Sequence, residues 1–150
     1  MSIRFWEASP GRALVGRLET GDDLVEEIER LCTEQGIHAA WVSVIGAVRH
    51  ASFAYYEQED HRYLELESNE HHEISGFIGN ISIRDGLPFL HAHATFCSRS
   101  GSAVGGHLLK GCEVFAAEFT IREMTGVQLV RTPDKVSGLS LWQGTGSLPL

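Results

Sequence analysis

The chain has 150 residues, 43% of them hydrophobic and 21% charged, which are the proportions of one ordinary globular domain. Asp and Glu number 20 against 12 Lys and Arg, a formal charge of −8. That sign opposes a generic nucleic-acid binder, which needs a positive surface to displace counterions from phosphates.

No run approaches the roughly 18 to 20 apolar residues that span a bilayer. The start, Met1 to Glu7, lacks a basic segment followed by an apolar one, so no secretory signal is read there. Cys32, Cys97 and Cys112 are odd in number and widely spaced. They make neither a disulfide framework nor a paired zinc knuckle, and reduced thiols in a cytoplasmic protein are expected. No linker or repeat divides the chain, so residues 1–150 are expected to form a single domain.

In chain order, Ile3 to Glu7 and Ala13 to Leu18 read as strands joined by a Ser9-Pro10-Gly11 turn. A helix is predicted from about Asp22. Leu24, Val25, Ile28, Leu31 and Cys32 make one apolar stripe, and Glu26, Glu27, Glu29, Arg30 and Glu34 cover the other face. Asp22 or Asp23 can cap its free N–H groups, and Gly36 can stop it in the left-handed conformation. Trp41 to Val48 is an apolar run fit for a sheet interior. Ser52 to Tyr56 and Tyr63 to Leu66 read as a hairpin with a charged tip. Glu57, Glu59, Asp60, Glu65, Glu67, Glu70 and Glu73 lie in this stretch with only Arg62 against them, so it would repel phosphates locally. Strands follow at Ile74 to Ile83 and Pro88 to Phe96, around an Arg84-Asp85-Gly86 turn. Ser98 to Gly106 reads as a loop of small residues. Glu113 to Glu123 and Val127 to Arg131 read as a final antiparallel pair. Residues 138–150 form a weakly patterned tail. One helix among many strands with short turns predicts an α+β fold, a largely antiparallel twisted sheet with the helix packed on one face.

The chemistry concentrates in the histidines, of which there are 8. Alternate residues of a strand share a face. Leu90, Ala92, Ala94 and Phe96 therefore make one apolar face, and His91 and His93 stand together on the other. His107 follows Gly105-Gly106, a pair that lets the backbone approach another element closely. Three neutral imidazoles suit Zn2+, and also nickel, copper or iron. Three ligands with an open fourth position are the arrangement of a zinc ion that activates water. Cys97 lies roughly 20 Å along the strand from His91 and is a poor fourth ligand. His38, His50 and His61 fall near turns or helix ends and are expected to be solvated. One of His71 and His72 is a candidate to face a ligand pocket.

The ordered set of motifs resembles the plants-and-prokaryotes-conserved (PPC) domain. It comprises Glu73-Ile74 with Gly79-Asn80-Ile81-Ser82, then Asp85-Gly86-x-Pro88-Phe89-x-His91-x-His93, then Gly105-Gly106-His107-Leu108-x-x-Gly111-Cys112. The similarity spans roughly residues 10 to 132, and the run Ser43-x-x-Gly46-Ala47-Val48 fits it too. The resemblance implies a homotrimer in which His91, His93 and His107 hold a metal, commonly zinc. Plant relatives bind AT-rich DNA through a separate basic hook. Here Gly11-Arg12-Ala13-Leu14 is only a fragment of one, so direct DNA binding is not expected.

The expected function is a metal-dependent enzyme or binder acting on a small molecule. Glu73 and Glu118 are the candidates for general acid or base. Asn80 and Arg49 are the candidates to orient an anionic substrate. The alternatives are a DNA-associated regulatory module acting through partners, and a structural trimer with a non-catalytic metal.

Overall fold

The helix is set by its two ends. In the computed structural model, which describes residues 3–146, α1 (Leu24–Gln35) begins after Asp23, whose carboxylate accepts from the backbone N–H groups of Val25 and Glu26, both at 2.9 Å. It ends at Gly36, which adopts the left-handed conformation with φ 64°. Leu24, Val25, Ile28 and Cys32 are buried, so the apolar stripe faces the sheet as the periodicity predicts. Asp23 also accepts from the Gly111 N–H and so ties the helix start to a distant loop. Asp23→Ala is expected to lower stability by about 1–2 kcal/mol, read as a lower urea midpoint with an unchanged slope.

Nine strands form one sheet among the described residues. They are β1 (Ser9–Leu18), β2 (Ala40–Glu57), β3 (Arg62–Ser68), β4 (His72–Arg84), β5 (Leu87–Ser98), β6 (Ala103–Leu108), β7 (Glu113–Thr125), β8 (Val127–Pro133) and β9 (Ser140–Gly146). Their order is β1-β7-β2-β6-β5-β4-β8-β9. The long β2 bonds to β7 and then β6 along one edge. Along the other edge it bonds to β4 and then β3. The path β2-β6-β5-β4 therefore closes on itself, and this closure brings β5 and β6 together. Every pairing is antiparallel except a short parallel contact of β4 with β8. The fold is α+β, a mostly antiparallel sheet with one helix on it.

Four local expectations are corrected. Residues 3–8 lie outside any strand, and Ser9-Pro10-Gly11 falls inside β1, at an irregularity in its register with β7. Residues 98–106 are only partly a loop, because β6 starts at Ala103. β8 does not pair with β7, whose two edges are already taken by β1 and β2. It crosses instead to β4 and pairs with β9, a strand that forms from the weakly patterned tail.

Candidate metal centre

Strand β5 sorts its residues as its alternation dictates. Leu90, Ala92, Ala94 and Phe96 are all buried, and His91 and His93 emerge on the opposite face. The start of the strand is held against the helix, since the Leu90 N–H donates to Glu29 Oε1 at 3.0 Å.

His107 reaches the pair from β6, where it stands directly across from His93. The two glycines before it make this approach possible. A Cβ at Gly105 would lie 2.1 Å from the Ala94 carbonyl oxygen, and one at Gly106 would lie 2.5 Å from that of Ala54. Only bare backbone fits between β5 and β2 here. The glycines thus act inside a strand and not in the expected loop.

The three ring centroids are 5.1, 5.4 and 5.6 Å apart. One nitrogen from each ring lies within 4.8 Å of the others. Ligands around a tetrahedral zinc stand about 3.4 Å apart, so modest side-chain rotation suffices to share one ion. His107 Nδ1 is buried and has no hydrogen-bond partner among the described residues, a polar atom in want of one. Burial first, then the Arg131 guanidinium and the other two rings, pull His91 down to about 4. Burial first, then His93 and the arginines Arg131 and Arg84, do the same for His107. Both imidazoles are therefore neutral at pH 7 and keep the lone pairs a metal needs. The residues fit a divalent transition metal.

The same depression makes stability pH-dependent. Below the ordinary histidine value of 6.5 the unfolded chain takes up protons that these two half-buried rings refuse. Metal-free protein should lose stability as pH falls from about 6.5 to about 4. A pH series of melting curves checks this, and the slope should be shallower in His107→Gln.

Arg131 is the residue that sequence reasoning missed. The β8–β9 hairpin carries it over the cluster. Its Nε donates to Ser82 Oγ at 2.8 Å, Nη1 to the Ser140 carbonyl at 3.0 Å, and Nη2 to Asn80 Oδ1 at 3.1 Å. Nη2 also stands 3.1 Å from His91 Nδ1, and since guanidinium only donates, that nitrogen is the acceptor. Burial, and then the neighbouring Arg84, pull Arg131 below its ordinary value. Tyr63 stacks on His107 at 4.9 Å. Arg84 lies over the Phe89 ring at 3.5 Å. These side chains, with His91, His107 and the turn into β9, line a cavity of about 210 Å³. A single Arg ending an apolar strand was the one available signal, and no local pattern reports which strand it will cross.

The other candidates separate. Asn80 stands opposite His91 and belongs to the site. Glu73 pairs opposite Cys97, seven positions from Asn80, about 23 Å along the strand. It shares a different cavity with Arg49, His71 and the buried His72. Arg49 there faces Glu113 at 3.5 Å. Glu118 lines a third cavity with Val15 and Ile45. Antiparallel register, which sequence does not display, places Glu73 and Glu118 away from the imidazoles. His38 and His61 are exposed, and the half-exposed His50 bonds Asn69.

Comparison with known proteins agrees with this architecture. A metal-containing protein from Archaeoglobus fulgidus superimposes with a TM-score of 0.90 at 40% identity, covering 94% of this chain and 99% of that one. A plant- and prokaryote-conserved (PPC) protein from Pyrococcus horikoshii gives 0.88 at 33% identity, covering 99% and 100%. Among curated proteins, the bifunctional protein GlmU of a Synechococcus strain is 32% identical over 124 residues, 81% of this chain and 18% of the relative. The chain thus spans about a fifth of the length of the curated relatives it matches. The Plants and Prokaryotes Conserved (PCC) domain model matches residues 6–125, and the chain belongs to that family.

Proposed function

We propose that the protein is a homotrimeric, cytoplasmic zinc protein that binds or transforms a small molecule at a metal position left open by His91, His93 and His107. The observation that carries this reading is the convergence of three imidazoles from two adjacent strands, with no thiolate or carboxylate among them. Structural zinc usually takes four protein ligands, Cys among them, whereas three ligands leave room for water or substrate. Zinc held this way supplies a Lewis acid and lowers the pKa of bound water to about 7. The chain's own groups bind and orient around it, with Asn80 and Arg131 placed beside His91.

Association is supported by apolar side chains on sheet surface that the helix leaves bare. Val15 and Ile45 are 79% and 66% exposed on one part of the sheet, and Ile78 is 66% exposed on another. Two different apolar patches suit a head-to-tail ring, and the family resemblance supports a ring of three. The cytoplasm is proposed from three free cysteines. No helix among the described residues is long and apolar enough to cross a membrane.

Elemental analysis of tag-free protein should find close to one zinc per chain, and light scattering should give three times the chain mass. Metal-free protein as isolated, or a monomeric mass at micromolar concentration, would sink the corresponding half of the proposal.

A further inference from the structure

The cavity over the histidines is positive in a negative protein. The chain carries −8 overall, yet two arginines and, among the described residues, no Asp or Glu line this cavity of about 210 Å³. Neither Arg84 nor Arg131 has an ion-pair partner among the described residues. Arg131 is half-buried, and its hydrogen-bond partners among the described residues are all neutral. A desolvated charge without a counter-charge is unfavourable, and a second guanidinium nearby makes it more so. A divalent metal on three neutral imidazoles would add two further positive charges. No acidic side chain among the described residues lines the cavity to balance them, and a bound anion would.

The donors are also arranged for one. The Arg84 guanidinium carbon sits over the Phe89 ring, 3.5 Å from its centroid. None of its N–H groups is hydrogen-bonded within the described residues. A guanidinium with its N–H groups unbonded presents the fork that matches a carboxylate or phosphate.

Arg131 has a further property. It donates to the lone pair of His91 Nδ1. A neutral imidazole has one lone pair and one N–H. If a metal takes Nδ1, it displaces Arg131. If it takes Nε2, the proton moves to Nδ1, which can no longer accept. Either way that Nη2 N–H no longer has His91 as its acceptor.

We propose that the small molecule of this site is a carboxylate- or phosphate-bearing anion, clamped by Arg84 and Arg131 next to the metal, and that metal binding frees Arg131 to hold it. This rests on the three-histidine metal reading above. The cavity is smaller than the several hundred Å³ of typical drug-sized sites, which confines the anion to a few heavy atoms beyond its charged group.

The test uses the full chain loaded with Co2+, whose visible bands report the ligand field. Acetate, inorganic phosphate and the neutral acetamide are titrated in turn, by absorbance and by calorimetry, into loaded and metal-free protein. Acetate or phosphate should shift the bands and saturate, and the better of the two identifies the head group. Acetamide should bind at least tenfold more weakly, as should either anion to metal-free protein. Arg84→Gln should keep one Co2+ and bind the anion at least tenfold more weakly. Arg131→Gln should do the same, and Arg84→Gln serves if that variant fails to fold, because the exposed Arg84 makes no hydrogen bond that the fold uses. Equal binding of acetamide, or wild-type anion affinity in Arg84→Gln with its Co2+ in place, overturns the proposal and leaves the metal reading standing. Failure of the wild type to hold Co2+ overturns the metal reading. Anion binding to that metal-free protein, lost in Arg84→Gln, would then still uphold the anion class, and its absence would remove that as well.

Discussion

Replacing His91 and His93 together by Ala is expected to remove stoichiometric metal while leaving the fold in place. Losing a partner that merely orients a ligand costs about 10- to 100-fold in metal affinity, so losing two ligands should cost more than that. The fold should survive because both rings stand on the face of β5 turned away from the core. His93 is exposed and His91 half-exposed, whereas Leu90, Ala92, Ala94 and Phe96 on the other face are buried. The variant also loses a ring that resists protonation in the folded state. Its melting temperature should therefore lie within a few degrees of the metal-free wild type, and nearer still at pH 5. Elemental analysis with calorimetry reads both quantities. A variant that retains one metal per chain would place the site elsewhere, and a variant that fails to fold would make these histidines structural.

The second large effect is expected at Gly105. Its missing side chain is what lets β6 lie against β5. A Cβ would stand 2.1 Å from the Ala94 carbonyl oxygen and 3.0 Å from Thr95 Cα. Those are backbone atoms, so no rotamer change relieves the contact and the two strands must part. Gly105→Ala should cost about 3 kcal/mol or more, the upper end of overpacking penalties. It should also weaken metal binding, because the pairing it breaks is the one that sets His107 opposite His93. Gly76→Ala is the control. The nearest atom to a Cβ there is 3.8 Å away, an ordinary contact, and the change should stay within about 1 kcal/mol. Urea unfolding and a Co2+ titration of the two variants separate the outcomes. Equal stability for both would mean that β6 is not held as tightly as its register implies.

Much of the site was readable because it depends on local periodicity. A period of two separates Leu90, Ala92, Ala94 and Phe96 from His91 and His93 whatever the strand pairs with. A period of 3.6, a capping Asp and a left-handed Gly set the limits of α1 in the same way. Gly105-Gly106 was legible as a place of close approach, but not as part of a strand, because glycine has no side chain to mark an alternation. Asn80 was legible as polar within an apolar strand. Its link to His91 through Arg131 was not.

What the amino-acid sequence determined alone is therefore the identity of each surface: the core face of β5, the imidazole face behind it, the helix and its ends, and the overall negative charge. Tertiary structure alone decided which surfaces meet. Strand pairing is a contact between residues far apart in the chain, fixed by which edges remain free. Because β1 and β2 occupy both edges of β7, β8 crosses to β4 and delivers Arg131 to His91. The register of β4 against β5 sets Glu73 opposite Cys97 and Asn80 opposite His91. A chain of net charge −8 thereby folds a cavity lined by two arginines beside His91 and His107. Charge counts over a sequence are sums, whereas the field in a cavity depends on which few charges the fold brings to it.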